Sequence, residues 1–313
     1  MSTAFVTDPA RGEELLAAFR LVFRHLSAGE REQRVANASR LIRLGELDPR
    51  GVLVARSGDQ LLGGLVCLPV AGASALFWPP QALPGRHKEA VENALLARAE
   101  QWVRRQGARL AQTLLTPQER ALAAPLERNG FRHITNLYYM RFQLDRLSKR
   151  LDSGQRLKYQ PYSSCSQQLF QETLLQTYEN SLDCPELGSL RTPMEILEGH
   201  KAQGDHDPNR WWLGWNGLEP VAILMTTLLS EWQALDVSYL GIVPHARRHG
   251  LGRQLIQKSL REGQAADAKQ VTLAVDARNK PALDLYRQIG FEAFDQREVH
   301  LAIWVRDGAA SSA

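Results

Sequence analysis

The segment Arg247-Arg248-His249-Gly250-Leu251-Gly252-Arg253 combines three arginines with two glycines. It follows an apolar run at 237–243 and opens an amphipathic segment at 251–266. This order predicts a strand, a tight turn and a helix N-terminus, where free backbone N–H groups and the helix dipole bind phosphate. The glycines let a ligand approach the backbone, and the arginines add positive charge. The segment is therefore a candidate loop for a phosphate-containing cofactor.

Two side chains near this loop in the sequence can move protons. Asp236 lies on the preceding strand, and Tyr286 lies in a later helical segment. A carboxylate can take a proton from a nucleophile, and a tyrosine hydroxyl can give one to a leaving group. By pattern alone, Tyr286 also fits a core position, since Ala282 and Ile289 share its helical spacing. Asp236 also fits a solvent-facing charge at a strand edge. For each residue the pattern therefore leaves both a catalytic and a structural interpretation open.

The pattern Arg-x-x-Gly-x-Gly at 247–252 resembles the pyrophosphate loop of the GNAT superfamily, the acetyl-CoA-dependent N-acetyltransferases. Further segments at 271–276, 279–282 and 285–291 resemble that family's fifth strand, the asparagine before its next helix, and the tyrosine-bearing helix ending in Gly-Phe. The motifs occur in the family's order and spacing. The resemblance is tight from about 233 to 305 and looser over the rest of the C-terminal half.

The resemblance implies direct transfer of an acetyl group from acetyl-CoA, as cosubstrate, to an amine, with no metal. Asp236 would be the base, acting through a water, and Tyr286 would be the general acid for the CoA thiolate. The pantetheine arm would pair with a strand edge as an added strand does. The implied cofactor-binding residues are Leu240, Gly241, Ile242, Arg247, Arg248, His249, Gly250, Leu251, Gly252, Arg253, Asn279 and Ala282.

The elements that must position these residues occur twice along the chain. A pattern of strands, a glycine-ended helix and a last strand runs to Asn129-Gly130-Phe131 and beyond, and returns about 160 residues later at Gly290. We therefore expect an α/β (α+β) protein of two tandem GNAT folds. Each would have a mixed, mostly antiparallel central sheet flanked by helices. The expected domains are 1–147 and 157–307, joined by a polar linker.

The repeat fails at the positions that would do chemistry. Aligning the two glycines places Leu126 opposite Tyr286 and Glu119 opposite Asn279, and the segment 84–87 lacks the Arg-x-x-Gly-x-Gly pattern. Leucine supplies no proton, and a carboxylate at the asparagine position repels phosphate. The N-terminal domain is therefore predicted to be a degenerate GNAT module, with catalysis in the C-terminal domain.

Composition sets limits on the class of protein. The 313 residues, 44% hydrophobic and 23% charged, suit two ordinary globular domains. The net charge of +4 is too small to indicate nucleic acid. Cys67, Cys165 and Cys184 are odd in number and widely spaced, which fits neither a disulfide framework nor a metal site. The charge-free stretch 63–81 contains three prolines and therefore does not predict a membrane helix. We expect a cytoplasmic monomer or homodimer with no membrane or nucleic-acid partner.

The acceptor is less defined than the cofactor. A small-molecule or peptide amine is expected, and the loop 182–188 offers Asp183 and Glu186 to attract it, although solvated turns of this kind are common. Trp211, Trp212, Trp215 and Trp232 could line a pocket or belong to the core. Two alternatives remain. One is a non-catalytic acyl-CoA-binding regulatory or scaffold protein. The other is a nucleic-acid-binding protein built on the arginine-rich helix at 88–106, which lacks a recognition motif.

Overall fold

The computed structural model describes residues 5–147, 156–187 and 190–304. The strands in this part of the chain are β1 Val6–Pro9, β2 Val52–Ser57, β3 Gln60–Val70, β4 Ser74–Phe77, β5 Gln81–Ala82, β6 Leu110–Leu115, β7 Arg132–Gln143, β8 Leu157–Pro161, β9 Trp211–Asn216, β10 Glu219–Leu229, β11 Ala234–Ile242, β12 Gln270–Asp276 and β13 Glu292–Ile303. The helices are α1 Leu15–Val22, α2 Ala28–Arg43, α3 Lys88–Arg105, α4 Ala123–Arg128, α5 Gln167–Tyr178, α6 Pro193–Lys201, α7 Leu251–Ala265 and α8 Lys280–Ile289.

The chain divides into two compact units. Of the described residues, unit 1 comprises those up to Ile134 and those from Glu298 onward, and unit 2 comprises Thr135–Arg297. In unit 1 the strands are ordered β1-β2-β3-β4-β6-β13, and β5 pairs with β3. Among the strand pairs described for that unit, β4 and β6 are parallel, and β1–β2, β2–β3, β3–β4, β3–β5 and β6–β13 are antiparallel.

Alternating residues of the unit 1 strands bury both faces of the sheet. Val52 and Val54 pack in the core that includes α1 and α2, whereas Leu53 and Ala55 pack in the core that includes α3. Successive strand residues point to opposite faces, so β2 becomes a continuous apolar run between two layers of helices. Helix α2 begins at a capping box formed by Ser27 and Glu30, which satisfies backbone donors at its N-terminus.

Unit 2 has the same layered design. Its strands are ordered β13-β7-β12-β11-β10-β9-β8, with β11 and β12 parallel. Ile223 and Met225 of β10 pack in the core that contains residues of α5 and α6. Ala222 and Leu224 pack in the core that contains residues of α7 and α8. The expected mixed, mostly antiparallel sheets flanked by helices are therefore present.

The two longest strands cross the division between the units. Residues Leu137–Gln143 of β7 pair with β12 in unit 2, and Glu298–Ile303 of β13 pair with β6 in unit 1. Unit 2 thus includes part of β7, which follows the other elements of the N-terminal half in the sequence. Unit 1 includes part of β13, which follows the other elements of the C-terminal half. The sequence placed the change of domain between 147 and 157, of which residues 148–155 lie outside the described chain. The observed units divide at 134–135 and 297–298 because of these strand pairings.

Helix α3, predicted at 88–106, is the longest helix in the described chain at 18 residues. It carries charged residues throughout, and its buried residues face the unit 1 core. Within the residues that the structure describes, no helix combines the length and apolar character needed to cross a bilayer.

Candidate active site

The parallel strands β11 and β12 are joined over only part of their length. Ala234–Val237 pair with Gln270–Leu273, and no pairing between the two strands continues beyond these residues in the described chain. A bulge lies at the same level, because Thr226 of β10 pairs with Val237 and Met225 pairs with Tyr239, leaving Ser238 extra. Leu240–Ile242 pair with β10 on one side, so the edge towards β12 can accept an extended ligand.

The loop after β11 presents backbone N–H groups at the start of α7. Arg248 and Gly250 adopt left-handed conformations, with φ of 67° and 78°. Gly250 is the N-cap of α7, and no side chain caps the helix there. Arg248, His249 and Gly250 are exposed. An uncapped helix N-terminus beside arginine side chains attracts anions, and left-handed residues other than glycine concentrate at functional sites.

The guanidinium of Arg247 is committed to protein groups. Its Nε donates to the carbonyl of Ile242 at 2.9 Å, and its Nη atoms donate to those of Thr177, Glu179 and Asn180 at 3.1, 2.6 and 3.1 Å. These carbonyls belong to the ends of β11 and α5, where helix carbonyls lack intrahelical donors. Arg247 therefore joins the loop to the end of α5.

Arg247→Met should lower the free energy of unfolding by about 1–3 kcal/mol, because it leaves several carbonyls without their charged donor. Arg248→Met is the matched control. The Arg248 side chain is exposed, so its loss should change stability by only about 0.5 kcal/mol or less. Chemical denaturation of both variants checks the difference, and equal stability of the two would contradict this role for Arg247.

Two of the predicted cofactor glycines have packing roles that sequence reasoning did not assign. A Cβ atom at Gly241 would lie 2.6 Å from the Cβ of Thr177, so only glycine allows α5 to lie this close to β11. A Cβ atom at Gly252 would lie 3.1 Å from Leu285 Cδ2. Gly252 therefore allows the first turn of α7 to contact α8 at the residue preceding Tyr286.

Tyr286 is buried in the core of unit 2 that contains residues of α7 and α8, and its ring centroid lies 5.9 Å from that of Phe291. Its hydroxyl makes no hydrogen bond to any residue that the structure describes. Burial, followed by the charge of Asp183, raises the pKa of Tyr286, so the hydroxyl keeps its proton at neutral pH. The helix ends at Gly290, whose φ of 110° fits the predicted glycine cap.

Asn279 and Ala282 form the start of α8. The Oδ1 atom of Asn279 accepts a hydrogen bond from the backbone N–H of Ala282 at 3.4 Å, which makes Asn279 the N-cap. Its own N–H donates to the carbonyl of Asp276 at 2.9 Å. Asn279 therefore fixes the turn between β12 and α8, and its contact with a pantetheine arm stays a prediction.

Asp236 is half-buried on β11, one residue before the last pair with β12. The hydroxyl of Thr272 donates to its Oδ1 atom at 2.6 Å. Burial raises the pKa of Asp236, and the hydrogen bond from Thr272 opposes the rise. A carboxylate with a raised pKa is a stronger proton acceptor than an exposed one.

Asp276, at the end of β12, is a site residue that sequence reasoning missed. Its carboxylate accepts hydrogen bonds from the Thr135 hydroxyl at 2.6 Å, the Cys184 N–H at 3.0 Å and the Arg278 side chain at 2.7 Å. Burial alone would raise the pKa of Asp276, but these hydrogen bonds outweigh it and lower the pKa to about 2. The only signal in the sequence was that the fifth-strand motif ends in a carboxylate.

The loop between α5 and α6 is also hydrogen-bonded to Asp276. Its N–H donates to Asp183 Oδ1 at 3.0 Å, and Glu186 forms a two-point ion pair with Arg278 at 2.6 and 3.0 Å. Asp183, Cys184 and Asp276 bring three possible metal ligands within 4.8 Å. The Asp276 oxygens already hold the partners named above, so we assign this group to the hydrogen-bonded network. Gly188, at the end of the predicted loop, lies outside the described residues.

The tryptophans do not form one pocket. Trp211 and Trp212 are buried in the two different cores of unit 2, because successive residues of one strand point to opposite faces of the sheet. Trp215 donates from Nε1 to Gln160 at 3.1 Å. Trp232 is 67% exposed. The core interpretation therefore holds for Trp211 and Trp212.

The corresponding positions of unit 1 carry other roles. Leu126, the counterpart of Tyr286, is fully buried in the core. Glu119, the counterpart of Asn279, forms a capping box with Thr116 and an ion pair with His25 at 3.1 Å. Unit 2 therefore carries the candidate site: the open edge of β11, the uncapped N-terminus of α7 and the hydroxyl of Tyr286.

Fold and site together define an α/β protein whose second unit can hold an extended ligand ending in an anionic group. Residues 174–291 match the model of the Acetyltransferase (GNAT) family. This part of the chain is similar to the GNAT family, as the loop and helix motifs predicted.

Several curated relatives match about a third of the chain. A mycothiol acetyltransferase from Streptomyces scabiei is 32% identical over 111 residues, which cover 36% of this chain and 35% of that protein. A mycothiol acetyltransferase from Streptomyces avermitilis is 33% identical over 107 residues, covering 34% of each. The chain thus aligns with about a third of the length of these relatives.

Solved structures match nearly the whole chain. A GCN5-related N-acetyltransferase from Sphaerobacter thermophilus superposes with a TM-score of 0.63 at 15% identity, covering 96% of this chain and 98% of that one. A tandem GNAT protein from the clavulanic acid biosynthesis pathway superposes with a TM-score of 0.50 at 16% identity, covering 96% and 98%. At these identities the likeness concerns the fold, and it supports the predicted tandem GNAT architecture. The architecture thus resembles that of mycothiol synthase, as the sequence predicted.

Proposed function

We propose that the protein is an N-acetyltransferase that moves an acetyl group from acetyl-CoA to an amine. The observation that carries this proposal is the open edge at Leu240–Ile242, followed directly by the uncapped N-terminus of α7. An extended thioester and a pyrophosphate are joined in that order in acetyl-CoA. The degenerate unit 1 would help to frame the site without binding the cofactor itself.

In this proposal the pyrophosphate lies on the N–H groups of residues 248–253, and the pantetheine arm pairs with the edge of β11. Ala282 and Asn279, at the start of α8, would border the arm. The exposed side chains of Arg248 and His249, with Arg253 on the first turn of α7, surround the anion position. Arg247 contributes by holding the loop in place.

The chemistry proposed is direct attack of the amine on the thioester. A ping-pong route needs a reactive thiolate, and the cysteines do not provide one. Burial raises the pKa of Cys67 and, together with nearby carboxylates, that of Cys184, while burial also raises the pKa of Cys165. The thiol groups therefore stay protonated at neutral pH. Tyr286 would protonate the departing CoA thiolate, and Asp236 is the base that the family resemblance suggests.

The test is a thiol-release assay with acetyl-CoA and a panel of amines. The names of the relatives put an amine related to mycothiol first on that panel, followed by amino acids, small amines and peptides with free N-termini. Release of CoA with formation of an acetylated product supports the proposal. Binding of acetyl-CoA without transfer to any of these amines would support the non-catalytic alternative.

Gly250→Asp should weaken acetyl-CoA binding at least about tenfold, which corresponds to about 1.4 kcal/mol. The new carboxylate would stand where the pyrophosphate is proposed to lie. Gly250→Asn is the matched control, because asparagine has a similar size and tolerates the left-handed conformation but carries no charge. Calorimetric titration checks both variants. Equal affinities of the Gly250→Asp and Gly250→Asn variants for acetyl-CoA would show that the pyrophosphate does not lie at this position.

A further inference from the structure

The loop between α5 and α6 is held at the end of β12 by contacts on three successive parts of the loop. Asp183 accepts the N–H of Asp276, Cys184 donates its N–H to the Asp276 carboxylate, and Glu186 pairs with Arg278. Such a set of charged and backbone hydrogen bonds fixes the direction in which the Asp183 carboxylate points.

This attachment places Asp183 beside the gap between β11 and β12. The last pair between the strands is Val237 with Leu273, and β12 continues for three further residues to Asp276. At about 3.3 Å per residue, Asp276 lies roughly 10 Å beyond that pair. The strands have separated there, and the parallel direction puts Leu240–Ile242 at the same end of the sheet.

We propose that the Asp183 carboxylate binds the ammonium group of the acceptor and takes its proton. This inference rests on the proposed N-acetyltransferase function and names the residue that would receive the amine. Asp183 Oδ1 is engaged by Asp276, whereas Oδ2 has no hydrogen-bond partner among the described residues. Asp183 retains exposed surface, so an amine can reach it.

Electrostatics suit the same role. The surrounding protein desolvates the carboxyl group, and this effect, with the nearby charge of Asp276, raises the pKa of Asp183 to about 6. The hydrogen bond from the Asp276 N–H and the charge of Arg278 oppose the rise without cancelling it. Asp183 is therefore mostly ionised at pH 7 and is a better proton acceptor than an ordinary aspartate. Its charge also reaches Tyr286, whose pKa it helps to raise. The two groups thus lie within electrostatic range of each other.

The proposed reaction conserves every proton and electron pair. The ammonium gives one proton to Asp183, and the free nitrogen lone pair forms the C–N bond with the thioester carbonyl carbon. The C–S bond breaks with its electron pair on sulfur, and the thiolate takes the proton of Tyr286. The amide nitrogen loses its second proton to the Tyr286 phenolate through water, and Asp183 releases its proton to solvent. The products are the acetylated amine, CoA thiol and one proton.

Asp236 is placed differently. It lies before the last strand pair, where β11 and β12 are still joined, and the Thr272 hydroxyl occupies its Oδ1 atom. Asp183 is attached to Asp276, beyond the point where β11 and β12 separate. The position of the two carboxylates relative to the gap therefore favours Asp183 as the group that meets the amine.

The test compares Asp183→Asn, Asp236→Asn and Glu186→Gln with the parent protein, on an amine that the parent acetylates. Asparagine at 183 keeps an oxygen that can accept the N–H of Asp276, so the loop contact is preserved. We expect kcat/KM at pH 7 to fall about 10²-fold or more, and the acidic limb of the pH profile near 6 to disappear. Asp183→Glu should restore part of the rate. Glu186→Gln weakens the loop attachment but should keep the acidic limb.

The outcomes separate this inference from the proposed function. If the parent transfers acetyl groups and Asp183→Asn keeps both its rate and its acidic limb, Asp183 is not the proton acceptor. If Asp236→Asn alone removes that limb, the role belongs to Asp236. If the parent transfers nothing to any amine, the proposed function fails and this inference fails with it. Acetyl-CoA binding by each variant, measured by calorimetry, shows whether the cofactor site is intact.

Discussion

Tyr286→Phe should lower kcat by about 10²–10⁴-fold while acetyl-CoA still binds, because general acid catalysis is typically worth that much. The substitution removes only a hydroxyl that makes no hydrogen bond to the described residues. The ring keeps its contact with Phe291 and its place in the core. Stability should therefore change little, and steady-state kinetics with a calorimetric binding curve separates the two effects.

Tyr159→Phe is the matched control for this experiment. Tyr159 lies on β8, at the far edge of the unit 2 sheet from β12, and its buried hydroxyl has no hydrogen-bond partner among the described residues. Its loss should leave kcat within about twofold of the parent, since surface and unpaired groups away from a site contribute little. A Tyr286→Phe variant as active as Tyr159→Phe would show that this hydroxyl does not protonate the leaving group.

A fragment of residues 157–297 should fail to fold cooperatively, whereas a fragment of residues 135–297 should fold. The shorter fragment lacks the part of β7 that pairs with β12 through seven residue pairs. Met140, Phe142 and Leu144, all buried in the unit 2 core, would be lost with it. Burying each such side chain contributes about 1.5–3 kcal/mol, and their sum is comparable with the roughly 5–15 kcal/mol that stabilises a whole domain.

Loss of the strand segment has two further consequences. The backbone edge of β12 would be exposed, which favours aggregation through strand pairing. Asp276 would lose the buried hydrogen bond from Thr135, one of those that keep its pKa low. Thermal denaturation followed by circular dichroism, with size-exclusion chromatography, compares the two fragments. Cooperative melting of 157–297 at the temperature of 135–297 would contradict the assignment of this strand to unit 2.

Much of the candidate site could be predicted from local sequence. The turn at 247–253 and the glycine cap at Gly290 depend on backbone conformations that a few residues determine. The observed left-handed conformation of Gly290 agrees with the predicted glycine end of the helix. Asn279 capping a helix is likewise a short-range effect. The tandem GNAT fold was predictable because the spacing of strands, helices and turns recurs in both halves.

Other parts depended on partners far away in the sequence. Arg247 looked like a phosphate ligand, and only the folded chain brings its guanidinium to the carbonyls at the end of α5. Asp183 and Asp276 are 93 residues apart, and no local pattern indicates that a loop and a strand end will meet. The functional importance proposed for Asp183 arises from that contact.

The sequence by itself determined the elements, their order and the chemistry available at the start of α7, because capping, glycine conformations and apolar periodicity act over a few residues. The tertiary structure decided where β11 and β12 separate, and which half of the chain supplies β7 and the end of β13. Strand pairing joins any two exposed backbone edges that bury their side chains well, and nearly every residue can supply the same N–H and C=O groups. Pairing partners are therefore chosen by the packing of the whole sheet.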